Sequence, residues 1–170
     1  MSATGLDVFD KTLQTTHIWL NEIMEVTGPD KQVAWHALGG VLRTLRDRIP
    51  LDLAAHLGAE LPILVRGVFY DQWHPQAQPE RYRSLDEFLD CVARNMTGIR
   101  PVNPRDAARA VFGVLSRHLP EGQIRKVRDS LPEEIRTLWQ QSAAGDSDDV
   151  GSMEMGRVTA QPEQARNIRT

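Results

Sequence analysis

The sequence has little of several things, and each shortage narrows the class of protein. Its one cysteine, Cys91, cannot form an internal disulfide, so a reducing, cytoplasmic location is expected. No apolar run approaches the roughly 18 residues that a membrane-spanning helix needs. The first twenty residues lack the basic, apolar and small-residue segments of a signal peptide. We therefore expect a soluble protein without a membrane-spanning part.

Basic charge and catalytic motifs are also scarce. The chain carries 20 basic and 23 acidic residues, a net charge of −3 at pH 7, which makes DNA binding the least favoured function. No glycine-rich phosphate-binding motif occurs, and no two histidines show the H-x-x-x-H or H-E-x-x-H spacing of a metal site. The histidines are His17, His36, His56, His74 and His118. The sequence thus predicts no catalytic residue, no cofactor and no metal.

What the chain does have is helical periodicity. Apolar residues recur every three or four positions, and no stretch alternates with a period of two, so an all-α fold with essentially no sheet is expected. The first such stripe comprises Phe9, Leu13, Thr16, Leu20 and Ile23. Asp30, a capping box formed by Ser84 and Glu87, and Asn103 followed by Pro104 mark helix starts. Gly39 and Gly40 lie inside the second helix, where they are expected to permit close packing.

An internal repeat appears when the chain is shifted against itself by about 70 residues. Apolar positions and helix-breaking prolines then coincide without a gap over some forty positions. The matched pairs include Ala37 with Ala107, Val41 with Val111, Pro50 with Pro120, Pro62 with Pro132, and Phe69 with Trp139. This predicts one eight-helix domain made of two tandem four-helix repeats. Repeat one spans 7–73, a linker 74–83, repeat two, docked on the first, 84–141, and a disordered tail 142–170.

Several segments resemble a known family. They are "LRDRIP" at 45–50, "AAHLGAELPILVRGVFYDQWHP" at 54–75, "SLDEFLDCVA" at 84–93, "RHLPEGQ" at 117–123 and "SLPEEIRTLW" at 130–139. Together they resemble the bacterial domain of unknown function 2267 family over roughly residues 7–141. The resemblance implies an all-helical, duplicated, small cytoplasmic bacterial protein. It implies no reaction, cofactor or catalytic residue.

The segment 62–73 is the most informative about function. Read as one helix, it has a core stripe and a second stripe of Ile63, Arg66, Tyr70 and Trp73. The matching residues of the second repeat are Glu133, Arg136, Gln140 and Ala143, so this second face is specific to the first repeat. The structural explanation is that the face packs on the linker or on the other repeat. The functional explanation is a binding patch, with Tyr70 and Trp73 as aromatic anchors beside Arg66.

Three functions stay open at this point. The favoured hypothesis is a non-catalytic interaction or regulatory module that binds a protein partner or a second copy. The second is a small-ligand-binding protein or enzyme, and the third is DNA binding. For the second, the pocket would lie between the repeats and be lined by Arg66, Tyr70, Trp73, His56 and His36.

A cluster of charges in "LRTLRDRIP" offers a further candidate. Arg43, Arg46 and Arg48 could hold an anion, or could stabilise the carboxyl end of a helix and form surface ion pairs. The second explanation is favoured, because cations near a helix C-terminus are common.

Overall fold

Helices account for almost all regular structure. The computed structural model describes residues 2–144, which form eight α-helices, a short 3₁₀ helix at Pro75–Ala77 and no strand. This confirms the all-α prediction for that part of the chain. The helices are α1 (Asp7–Thr27), α2 (Lys31–Arg48), α3 (Leu51–Glu60), α4 (Ile63–Tyr70), α5 (Leu85–Asn95), α6 (Pro104–His118), α7 (Glu121–Asp129) and α8 (Glu133–Ala144).

The predicted helix starts are confirmed by their hydrogen bonds. The Asp30 carboxylate accepts from the Gln32 and Val33 amides, at 2.9 and 3.2 Å, and so caps α2. Ser84 and Glu87 form the expected capping box at α5. Asn103 accepts from the amide two residues on at 2.9 Å, with proline in the first position of α6. Local chemistry therefore sets where these three helices begin.

Two central helices, α2 and α6, carry much of the core. Most of the residues of α2 from Val33 to Arg46 are buried, and so is α6 from Ala107 to Leu115, apart from one exposed arginine. A Cβ atom added to Gly40 would lie 2.7 Å from Cγ of Met96, the residue that follows α5. One added to Gly39 would lie 2.9 Å from Cγ1 of Val68 on α4. The two glycines therefore permit close packing of α2 against both neighbours, as the sequence predicted.

Helices from different parts of the chain pack against one another. Helix α1 packs on α2 and on α6, and α2 packs on α1, α4, α5 and α6. Helix α7 starts at Glu121, 70 residues after α3 starts at Leu51, and α8 starts at Glu133, 70 residues after α4 starts at Ile63. Positions separated by this offset are buried in both places: Ala37 and Ala107, Val41 and Val111, Leu45 and Leu115, Leu57 and Val127, Val65 and Ile135, and Phe69 and Trp139.

The structure corrects two boundaries of the sequence prediction. Helix α4 ends at Tyr70 and does not continue to residue 73, so Trp73 is not on this helix. Helix α8 runs to Ala144, three residues beyond the predicted end of the second repeat. The rest of the predicted tail, 145–170, lies outside the described residues. Among residues 2–144, no helix has both the length and the apolar character to cross a bilayer.

The stripe predicted along α1 is buried only in its second half. Thr16, Leu20 and Ile23 are buried, whereas Phe9 is 53% and Leu13 40% exposed. The reason is length: α1 has 21 residues, and its first two turns extend past the helices that cover its second half. The apolar face of α1 therefore includes exposed residues in its first two turns as well as the buried residues of its second half.

Candidate functional site

Tyr70 and Trp73, the predicted aromatic anchors, lie together against the core. Their ring centroids are 5.2 Å apart, and both side chains are half-buried. The Tyr70 hydroxyl donates to the carbonyl of Ala55 on α3 at 3.3 Å. Its ring fills the space beside Gly58, where a Cβ atom would lie only 2.1 Å from the hydroxyl oxygen. Tyr70 is thus engaged in fastening the end of α4 to α3.

Trp73 is held by the segment that follows it. Its indole Nε1 donates to Oε1 of Gln78 at 2.8 Å. The Gln78 amide nitrogen donates in turn to the carbonyls of Arg46 and Ile49, at 2.6 and 2.7 Å, at the end of α2. The linker therefore satisfies carbonyls that the end of a helix leaves without a partner. Sequence analysis did not single out Gln78, because a lone glutamine in a proline-rich linker gives no periodic signal.

Arg46 explains why α4 ends where it does. The side chain is 2% exposed, and one guanidinium nitrogen donates to the carbonyls of Phe69 and Asp71, each at 2.7 Å. The other donors pair with the neighbouring Asp47 carboxylate at 2.7 and 3.2 Å. Buried charge is tolerated when it is paired and hydrogen-bonded in this way. The arginine cluster thus acts on a helix C-terminus, as favoured, but on that of α4 instead of its own helix.

Arg66 and Ile63 line a groove that Tyr70 and Trp73 do not line. The Arg66 guanidinium donates to the carbonyls of Ala59 and Leu61, at 2.9 and 3.0 Å, at the end of α3. Ile63 is 58% exposed. Both line a groove of about 430 Å³ between α1 and the α3–α4 junction. The other residues of its wall are Val8, Lys11, Thr12, Thr15, Ala59, Glu60, Leu61 and Pro62.

The structure separates the predicted pocket residues. His56 lies exposed on α3, and His36 is half-buried on α2. Of the five residues expected to line a pocket between the repeats, only Arg66 lines this groove. The groove is built from residues 8–66, all within the predicted first repeat.

Exposed apolar side chains continue around the groove onto both helices. Thr12 on α1 accepts a hydrogen bond from the Leu64 amide at 3.3 Å, so the first turns of α1 lie across the start of α4. Six large apolar residues here are between 40% and 58% exposed. They are Leu6, Val8, Phe9, Leu13, Ile63 and Leu64. We call these six residues the α1–α4 patch. Sequence analysis missed its α1 members, because Phe9 and Leu13 continue the spacing of a buried stripe.

Titratable groups outside the patch form two smaller clusters, and the first contains Cys91, Arg94, Tyr82 and Arg48. Burial raises the pKa of the Cys91 thiol, although the nearby Arg94 guanidinium, which donates to Sγ at 2.9 Å, partly opposes the shift. Burial also raises the pKa of Tyr82, whose ring lies 5.5 Å from the Arg48 guanidinium carbon. Among the described residues, no three His, Cys, Asp or Glu side chains are placed to hold a metal ion.

The second cluster joins α1 to α6. Glu22 contacts Nε2 of His118 at 2.6 Å and accepts from Nε of Arg117 at 2.9 Å. Trp19, which is fully buried, stacks on the His118 ring with centroids 5.6 Å apart. These contacts fasten the second half of α1, the half whose apolar face is covered.

One of two comparisons with known proteins matches the chain to a family. A search of curated proteins finds no match to the chain. A family model described as an uncharacterized conserved protein, DUF2267, matches residues 16–138. The match begins at Thr16, the first buried residue of α1, and ends in α8. Because the matched segment covers most of the sequence, the chain belongs to the DUF2267 family of uncharacterized conserved proteins.

Proposed function

We propose that the protein is a non-catalytic interaction module and that the α1–α4 patch is its binding surface. The observation that carries the proposal is the set of six large apolar side chains, each 40–58% exposed. Five are on α1 and α4, which contact each other, and Leu6 immediately precedes α1. Contiguous exposed apolar surface on a soluble protein typically marks an interaction site. The neighbouring groove adds polar groups, Lys11, Glu60 and Arg66, at its edge.

The proposed surface keeps some residues of the binding patch expected from the sequence and adds residues of α1. Ile63 and Arg66 stay in the proposed surface, since both line the groove. Tyr70 and Trp73 contribute less, because their hydrogen bonds go to Ala55 and Gln78 within the chain. His56 is exposed on α3 but does not line the groove. The weight shifts to α1, whose first two turns supply Val8, Phe9 and Leu13.

A duplicated architecture is part of the same proposal. The 70-residue offset of α3 from α7 and of α4 from α8 supports two tandem four-helix units. In that scheme α1, with 21 residues, corresponds to α5, with 11. The extra turns of α1 make the patch a feature of the first unit alone. A cytoplasmic location also belongs to the proposal, supported by the single cysteine, which cannot form an internal disulfide.

A site-specific photo-crosslinking amino acid tests the surface. Placed at Ile63 or at Phe9 and irradiated in native lysate, it should give a discrete protein adduct. The matched controls are Leu51 on α3 and Ile18 on α1, which are 48% and 44% exposed but lie outside the patch. Equal yields of adduct at patch and control positions would contradict the proposal.

A second candidate function, small-ligand binding, is favoured by the groove alone. Its volume of about 430 Å³ falls in the range of roughly 300–1,000 Å³ that ligand pockets occupy. Native mass spectrometry of the gently purified chain would then show an adduct of low mass. An Ile63→Trp variant, which fills the groove, should lose that adduct. A protein adduct from Ile63 without any small-molecule adduct would favour the interaction module instead.

A further inference from the structure

We infer that the occupant of the α1–α4 patch is a second copy of this chain, so that the protein forms a two-fold symmetric dimer. The inference rests on the proposed function, since it names the partner of that surface. The two statements can fail separately, because the patch could serve another protein while the purified chain stays monomeric. Four properties of the patch favour a second copy: phase, local order, area and charge.

The phase of the apolar face is the first argument. Phe9 and Leu13 lie seven and three residues before Thr16, so they share the face that buries Thr16, Leu20 and Ile23. The same face is covered in the second half of α1 and bare in the first. The apolar face of α1 thus continues into the first two turns, where no helix within the described part of the same chain buries it. These turns are therefore suited to packing on another folded surface.

Local order is the second argument. The Asp10 carboxylate accepts hydrogen bonds from the Thr4 amide and hydroxyl, at 3.2 and 2.9 Å, and from the Ser2 hydroxyl. These bonds hold the residues before α1, while the Thr12–Leu64 bond holds α1 to α4. A surface that is already ordered loses less conformational entropy when a partner binds. The patch therefore resembles a preformed interface.

Area is the third argument. A large apolar residue exposes roughly 200 Å² in an extended chain, so six residues at 40–58% exposure present about 500–600 Å² of largely apolar surface. A standard stable interface buries about 800 Å² on each partner. The polar rim of the groove can supply the difference. The patch is thus close to the size that one copy must contribute to a modest dimer.

Charge is the fourth argument, and it selects a second copy over a partner of one sign. The groove carries two basic residues, Lys11 and Arg66, and one acidic residue, Glu60. In a two-fold interface the same patch occurs on both sides, so a strongly one-signed patch would repel itself. Because the rim carries both signs, Glu60 of one copy can face Lys11 or Arg66 of the other.

Analytical ultracentrifugation of the full 170-residue chain tests the inference. Across about 1–200 µM, a range that spans micromolar affinities, the wild type should shift from monomer to dimer without larger species, because a two-fold interface closes. Phe9→Glu and Ile63→Glu should each raise the dissociation constant at least about tenfold, since they place an unpaired charge in the interface. Ile18→Glu, on the side of α1 opposite Phe9, and Leu51→Glu should leave it within about twofold.

Amide hydrogen exchange of the wild type at two protein concentrations tests the same interface without any variant, so the test does not depend on a variant that folds. Amides of residues 6–13 and 63–64 should gain protection at 200 µM relative to 1 µM, while those of α5 and α7 should not. A wild type that stays monomeric at 200 µM with no such gain overturns the inference. So does a dimer weakened as strongly by Ile18→Glu as by Phe9→Glu. If the chain is monomeric yet Ile63 still crosslinks to a different protein in lysate, the dimer fails and the interaction module stands.

Discussion

Two residues that lie 70 positions apart stabilise neighbouring helices by different chemistry. Arg46 on α2 donates to the carbonyls of Phe69 and Asp71, and so ends α4. Seventy residues later, Ser116 on α6 accepts from Nε1 of Trp139 at 2.8 Å. Phe69 and Trp139 are both fully buried. A long charged side chain thus joins α2 to α4, and a short hydroxyl joins α6 to α8.

At Gly58, a single methyl group should be costly. In Gly58→Ala the new Cβ would lie 2.1 Å from the Tyr70 hydroxyl and 2.4 Å from its ring carbon, so the ring must move. We expect a loss of about 1–3 kcal/mol in the free energy of unfolding, measured by urea denaturation. Gly67→Ala is the control, since a Cβ there meets nothing within 4 Å and should stabilise α4 by up to about 1 kcal/mol. Equal effects at the two glycines would contradict this account of Tyr70.

Cys91 should react slowly at neutral pH. Its pKa is raised by burial, so a smaller fraction of the thiol is ionised at pH 7.5 than in an ordinary cysteine. Alkylation by iodoacetamide, followed by mass spectrometry, should therefore rise to its plateau at a higher pH than for a model thiol. Because the Arg94 cation favours the thiolate, Arg94→Ala should move the profile to still higher pH. A profile that shifts to lower pH on removing the cation would refute this assignment.

At the scale of elements, the linker is a structural part of the fold. The segment between α4 and α5 returns to the end of α2, where the Glu80 amide donates to the Asp47 carbonyl at 2.8 Å. Arg48 donates to the Tyr82 carbonyl, also at 2.8 Å. Together with the Gln78 bonds, these contacts cover the carboxyl end of α2. Trp73 therefore packs on the linker, as one of the two structural explanations expected. Tyr70 packs on α3, which neither explanation named.

Gln78→Ala tests the role of the linker. The change removes two hydrogen bonds to the end of α2 and the acceptor of the Trp73 indole. We expect the free energy of unfolding to fall by about 1–3 kcal/mol, because buried polar groups lose their partners. Gln76→Ala provides the comparison, since Gln76 is exposed in the same linker. Thermal and urea unfolding of the two variants should differ clearly, and similar midpoints would show that the Gln78 bonds contribute little.

At the scale of the whole molecule, the two ends of the chain depend on each other. Helix α1 packs on α6, and α2 packs on both α5 and α6. Within residues 2–144, the buried apolar residues other than Val33 form one continuous cluster that runs from Trp19 to Trp139. Neither half therefore encloses a core of its own, and folding should be cooperative across both.

Separated halves should not fold alone. Fragments of residues 2–83 and 84–144 would each expose the face that the other covers, so neither should show a cooperative thermal transition by circular dichroism. An equimolar mixture should recover helical signal and a transition, because the interface between them is the core. Cooperative unfolding of either fragment by itself would show that the halves are independent domains.

The sequence by itself determined the helices, most of their starts and the main buried positions. Local hydrogen bonds at Asp30, Ser84 and Asn103 and the periodic apolar residues are short-range features, so they can be recognised without a fold. Only the tertiary structure decided where α4 ends, because Arg46 captures its carbonyls from 23 and 25 residues away. It alone showed that Ile63 and Arg66 line a groove, whereas Tyr70 and Trp73 do not. It also showed that Phe9 and Leu13 are exposed. Their exposure depends on which helices lie beside α1, and the spacing of apolar residues in the sequence does not contain that information.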